Sequence, residues 1–111
     1  MITVTVQKAD DHCVGFVCSG HAGYADEGYD IICAAVSALA VNTANSLEAF
    51  TEDPLLIEGG EEGYLKCILT DFSHVSGEAR VLMDSFLLGL DMISQNCEEE
   101  FLQIVLQEEA L

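Results

Sequence analysis

Basic residues are nearly missing from this sequence: three Lys and Arg stand against 20 Asp and Glu in 111 residues, a formal net charge of −17. A surface of that sign repels phosphate backbones and anionic lipid. It argues against direct nucleic-acid or membrane binding and leaves a basic protein or peptide as the natural partner. Also missing is an uninterrupted apolar run of the roughly 18 to 20 residues needed to span a bilayer. The opening MITVTVQKADD shows neither the basic n-region nor the apolar h-region of a secretory signal, so a cytoplasmic protein is expected. No CxxC pair occurs, and the cysteines (Cys13, Cys18, Cys33, Cys67 and Cys97) are odd in number. Neither a metal site nor a closed disulfide framework is expected, and the thiols should be reduced. With no convincing linker or internal repeat, residues 1–111 read as one domain, long enough to bury a real core.

What is present is a clear periodic pattern. ITVTVQK alternates Ile2, Val4 and Val6 with Thr3, Thr5 and Gln7, the period of a half-buried strand. ADDH turns the chain, and CVGFVCS (Cys13 to Ser19) reads as the hairpin partner, with Gly15 as a bulge or close-approach point. From Ile31 to Phe50 there is no Gly or Pro and a single charge, Glu48. A helix that is apolar nearly all round must be buried on more than one side, against a sheet and a second helix or another subunit. Asp30 is placed to cap it. LLIEGGEEGYLKCILT reads as a second hairpin, and Ala79, Leu82, Met83, Phe86, Leu90 and Ile93 fall at the three- and four-residue spacing of an amphipathic helix. FLQIVLQ supplies a last strand. The order ββαββαβ predicts an α/β (α+β) sandwich, with a mainly antiparallel or mixed sheet packed against two helices.

Chemistry concentrates in GHAGYADEGYDIICAAVSALA, residues 20 to 40. With Asp30 as N-cap, Cys33 is the third helical residue, where unpaired N–H groups and the positive end of the helix dipole favour an anion. An ordinary thiol of pKa about 8.5 is only about 3% ionised at pH 7, so a base in reach multiplies the supply of nucleophile. His21 lies twelve positions upstream, across a segment that includes Gly23 and Gly28, a spacing that permits contact without requiring it. In contact, His21 could take the thiol proton and return it to a leaving amine, while backbone N–H groups at the helix start, that of Cys33 included, steadied an oxyanion. Against this stands a plainer reading. Cys33, flanked by Ile32, Ala34 and Ala35, is equally a core thiol, and Asp26, Glu27 and Asp30 are equally a solvated loop and a cap, although one of them could orient His21.

The same stretch resembles the signature of the ribosomal-processing cysteine protease family (Prp): a Gly-His-Ala segment, a loop, and a helix start of the form Asp-Ile-x-Cys-Ala-Ala-x-Ser. Its elements read here as Gly20, His21, Ala22, Gly28, Asp30, Ile31, Cys33, Ala34, Ala35 and Ser37. The resemblance extends over essentially the whole chain. One departure is NCEEEFLQI, which lacks a Tyr-Pro-like segment before the last strand. The resemblance implies a cofactor-independent, homodimeric cysteine endopeptidase with Cys33 as nucleophile and His21 as general base. Gly20, Ala22, Asp26, Asp30 and Ser37 are then candidates for binding substrate or orienting the dyad. The implied substrate is a basic ribosomal precursor, number twenty-seven of the large-subunit L series, which loses a short N-terminal extension. The rival functions are a non-enzymatic acidic ribosome-assembly module and a thiol acyltransferase or redox protein.

Overall fold

Alternation produces the first strand, β1, from Ile2 to Ala9, in a computed structural model that describes residues 1–20, 29–61, 63–98 and 100–108. Asp10 and Asp11 turn the chain at φ values of 52° and 65°. A two-residue hairpin turn of this hand needs both residues left-handed, and Asp tolerates that region better than most non-glycine residues. β2 (His12–Ser19) returns antiparallel, with a register shift that opens between Gln7 and Lys8. Gly15 sits beside that shift. A Cβ there would lie 2.8 Å from the Cβ of Ile68, so the glycine permits a close approach of the neighbouring strand.

The second hairpin consists of β3 (Leu55–Glu61) and β4 (Tyr64–Leu69). Helix α1 (Tyr29–Phe50) precedes it, and α2 (Gly77–Gln95) and β5 (Leu102–Glu108) follow. The sheet order is β3-β4-β2-β1-β5, with every pair antiparallel except β1 and β5. The predicted ββαββαβ order and mixed sheet are therefore present.

One core joins the layers. Val4 and Val6 of β1, Phe16 of β2 and Cys67 and Leu69 of β4 are buried with Val36, Ala40 and Leu47 of α1 and Ala79, Met83, Phe86 and Leu90 of α2. Leu82 and Ile93, also expected inside, are half-buried at the edge of that core. Phe16 and Phe86 stack at 4.1 Å between ring centroids with planes 17° apart, locking α2 onto the sheet. The helices meet closely at Gly89, where a Cβ would lie 2.9 Å from Leu39 Cδ1. Ser76 caps α2 by accepting from the N–H of Ala79 at 3.0 Å, and its own N–H donates to Asp53 Oδ2 at 2.8 Å. Burial alone would raise the pKa of Asp53, but the hydrogen bonds from Ser76 and Thr51 outweigh it and hold the carboxyl below its ordinary value.

The expected start of α1 needs correction. The helix begins at Tyr29, so Asp30 is its second residue and not its cap. Cys33 moves from third to fifth place, one beyond the four residues whose N–H groups lack an intrahelical acceptor, so its N–H is not an oxyanion donor. As expected, α1 is buried on more than one side, against the sheet and α2, while Ile31, Val41 and Phe50 are exposed. By length and composition Ile31–Phe50 would also pass for a membrane span, which counting uninterrupted apolar residues did not show. Its inner face nevertheless packs in the core with the sheet and α2.

Candidate active site

The start of α1, the end of β2 and the tip of the second hairpin converge on a cavity of about 280 Å³. Cys33 and Ser37, one turn apart on α1, line it together with Val36, Ala40 and Val41. β2 contributes Cys18, Ser19 and Gly20, and the hairpin contributes Gly60, Gly63, Tyr64 and Leu65. Cys33 is half-buried. The arrangement thus presents a sulfur to a mostly apolar hollow that is large enough for a ligand group. A thiol so placed can attack an electrophilic carbonyl lodged beside it, provided a base takes its proton.

Gly20 is held from two sides. Its N–H donates to the carbonyl oxygen of Gly63 at 3.1 Å, joining the end of β2 to the hairpin turn. Its φ is +126°, and a Cβ would lie 2.5 Å from the carbonyl oxygen of Met1. Any other residue would be strained and would collide with main chain. The sequence reading had named Gly20 as a site residue, and the structure brings it to the same cavity as Cys33 and Ser37. His21, Ala22 and Asp26 lie outside the described residues; Asp30 is described only as a residue of α1.

Cys18 also lines this cavity, a placement for which the sequence offers no local signal. Its environment disfavours the thiolate. Burial, with a smaller contribution from Cys67, pushes the Cys18 thiol up to about 12, so it stays protonated at neutral pH. Burial likewise raises Cys67 to about 12 and Cys13 to about 11. Burial also raises Cys97. His74 is exposed, with its Nδ1 3.2 Å from Asp71 Oδ2, and His12 is exposed beside the first turn. Among the described residues no three His, Cys, Asp or Glu side chains gather as metal ligands would.

Comparisons with known proteins bear on the family and the fold. The family model described as cysteine protease Prp matches residues 1–102. The chain is 29% identical over 105 residues to the ribosomal processing cysteine protease Prp of Bacillus subtilis (strain 168), covering 89% of this chain and 92% of that protein. Among solved structures it is similar to SMU.848 from Streptococcus mutans, with a TM-score of 0.76 at 28% identity, covering 98% of this chain and 96% of that one. It is also similar to the essential ribosomal processing protease Prp from S. aureus in complex with a covalently linked product peptide, with a TM-score of 0.81 at 24% identity. That likeness covers 96% of this chain and 100% of the other, and it shows a shared fold.

Proposed function

This chain belongs to the cysteine protease Prp family, and from that membership we propose that it trims a short N-terminal extension from a bacterial large-subunit ribosomal protein, number twenty-seven of the L series, through a Cys33–His21 dyad. The observation that carries the reading is the shared cavity: Cys33 lines it, and so does Gly20, the residue joined by its peptide bond to His21. A net charge of −17 suits a basic ribosomal substrate. The S. aureus protease has been captured with a substrate peptide and with a covalently linked product peptide, which supports covalent chemistry at the corresponding centre. The same reading has the enzyme acting as a homodimer in the cytoplasm.

The proposed chemistry needs no bound cofactor. His21 takes the Cys33 proton, and the thiolate attacks the scissile carbonyl carbon to form a tetrahedral oxyanion. The imidazolium then protonates the departing amine as the C–N bond breaks, leaving a thioester on Cys33. Water, deprotonated by His21, attacks the thioester; the acid product leaves and the thiol is restored. The positive end of α1 and its first-turn N–H groups favour the negative charge that develops beside Cys33.

Mass spectrometry of the extended ribosomal protein incubated with wild type, Cys33→Ala or His21→Ala tests the proposal. Wild type should make one cut, Cys33→Ala should bind without cutting, and His21→Ala should be slowed at least about a hundredfold. Cutting by Cys33→Ala at the wild-type rate would remove the nucleophile assignment. Binding without cutting by all three proteins would leave a non-catalytic assembly module.

A further inference from the structure

With its consequence resting on the protease reading above, we infer that Cys33 and Cys18 form a reversible oxidation site: a peroxide oxidises the Cys33 sulfur, and Cys18 captures it as an intramolecular disulfide that switches cleavage off. Both thiols line the same cavity, Cys33 from α1 and Cys18 from β2, and no other cysteine among the described residues does. Cys13 and Cys67 lie in the core, whereas Cys18 and Cys33 are half-buried. A disulfide needs Cα atoms about 5.5–6 Å apart, so one wall of the cavity has to close on the other. β2 is the fixed wall: Cys18 pairs with Val4 of β1 on one side and Leu65 of β4 on the other. α1 is the wall that can give. Val36 is the first buried side chain described on it; ahead of it Ile31 and Ala34 are exposed, and Ile32, Cys33 and Ala35 are half-buried. A terminal turn with so little buried apolar surface opens locally at small cost, while Val36, Ala40 and Leu47 keep the rest of the helix on the sheet.

The order of events follows from the two environments. In the protease reading His21 takes the proton of Cys33, and the thiolate is the form that attacks a peroxide. The Cys33 sulfur displaces one peroxide oxygen: the O–O bond breaks, an S–O bond forms and the sulfur gives up two electrons. The other oxygen leaves, takes the proton held by His21 and departs as water or an alcohol. Burial keeps Cys18 protonated, so it is not the first target. Its sulfur then attacks the sulfenic sulfur of Cys33; an S–S bond forms as the S–O bond breaks, and the hydroxyl leaves with the Cys18 proton as water. Confinement in the same cavity offsets the small thiolate fraction of Cys18, because this step is intramolecular. The disulfide removes the nucleophile, ties α1 to β2 and withholds the sulfur from the irreversible sulfinic step. A dithiol reductant restores both thiols and is itself oxidised to a disulfide.

The test treats the whole reduced protein, wild type and Cys18→Ser, with hydrogen peroxide, blocks the remaining thiols with N-ethylmaleimide in urea and maps the peptides without reduction. Cutting of the extended ribosomal protein is timed before treatment, after it and after dithiothreitol. Wild type should yield a peptide pair joined through Cys18 and Cys33, in a single chain lighter by two hydrogens. Its cutting rate should fall at least about tenfold and return almost fully on reduction. Cys18→Ser, with each protein scaled to its own untreated rate, should collect sulfinic and sulfonic acid at Cys33 and recover at least about tenfold less than wild type. A wild-type map in which Cys18 carries maleimide while Cys33 is over-oxidised or joined to another cysteine overturns the inference, and so does equal recovery by the two proteins. If untreated wild type cuts nothing, the protease reading falls by itself, and the mass map still decides whether the bond between Cys18 and Cys33 forms.

Discussion

Iodoacetamide at pH 7.5 should distinguish the two cysteines that share the cavity. Burial raises the Cys18 thiol from 9.0 to about 12. Three pH units reduce the thiolate population on the order of a thousandfold relative to an unperturbed cysteine. The more basic thiolate is also more nucleophilic, and a Brønsted coefficient of about 0.4–0.5 restores roughly twentyfold of that loss. The net expectation is alkylation of Cys18 about fiftyfold slower than that of a cysteine in an unstructured peptide, before any obstruction of the reagent. Cys13 and Cys67, 2% and 0% exposed, are obstructed as well as protonated. Timed quenching followed by peptide mapping reads all five sites in one sample, with Cys33 expected to be modified first. Labelling of Cys18 within roughly threefold of the peptide rate would refute the burial argument and restore it as a rival nucleophile in the same cavity.

The buried thiols also give stability a pH dependence of definite sign. Their folded-state pKa values are raised, so above pH 9 the unfolded chain binds fewer protons than the native one, and stability present in full below that pH is lost as pH climbs toward 11 or 12. Cys13, Cys18 and Cys67 together should cost about 4 kcal/mol at pH 10 relative to pH 8, measured by urea unfolding under reducing conditions, and an unchanged midpoint with an unchanged m-value would refute this. Phe86→Ala removes a fully buried ring and its 4.1 Å stack on Phe16. It should destabilise by about 3–5 kcal/mol in the same assay at pH 7, and a loss below about 1.5 kcal/mol would mean that the ring does not hold α2 to the sheet.

Much of this architecture is written in short-range pattern. Alternation in residues 2–6 and three- and four-residue spacing from Ala79 to Leu90 each repeat the geometry of one element, so strands and helices were legible together with the faces that they bury. Cys33 near a helix start, and Gly20 at a strand end, were legible for the same reason. The first turn of α1 was less so. Asp is a good cap wherever its backbone is extended, and that conformation depends on where the helix begins; here it begins at Tyr29, two residues before the expected first helical residue Ile31.

The sequence by itself determined the order of elements, the lopsided charge, the inward faces and the family signature around Cys33, because each depends on residues that are near neighbours or on totals that ignore position. The tertiary structure decided what surrounds that cysteine. Pairing of Cys18 with Leu65 across β2 and β4 and the bond from Gly20 to Gly63 bring strand end and hairpin together, and α1 lies beside them to complete the cavity. Cys18, Val41 and Tyr64 carry no local mark of this shared place. Their meeting depends on sheet register and on helix-to-sheet packing between segments tens of residues apart, and in a strand a slip of one residue would have turned Cys18 to the opposite face.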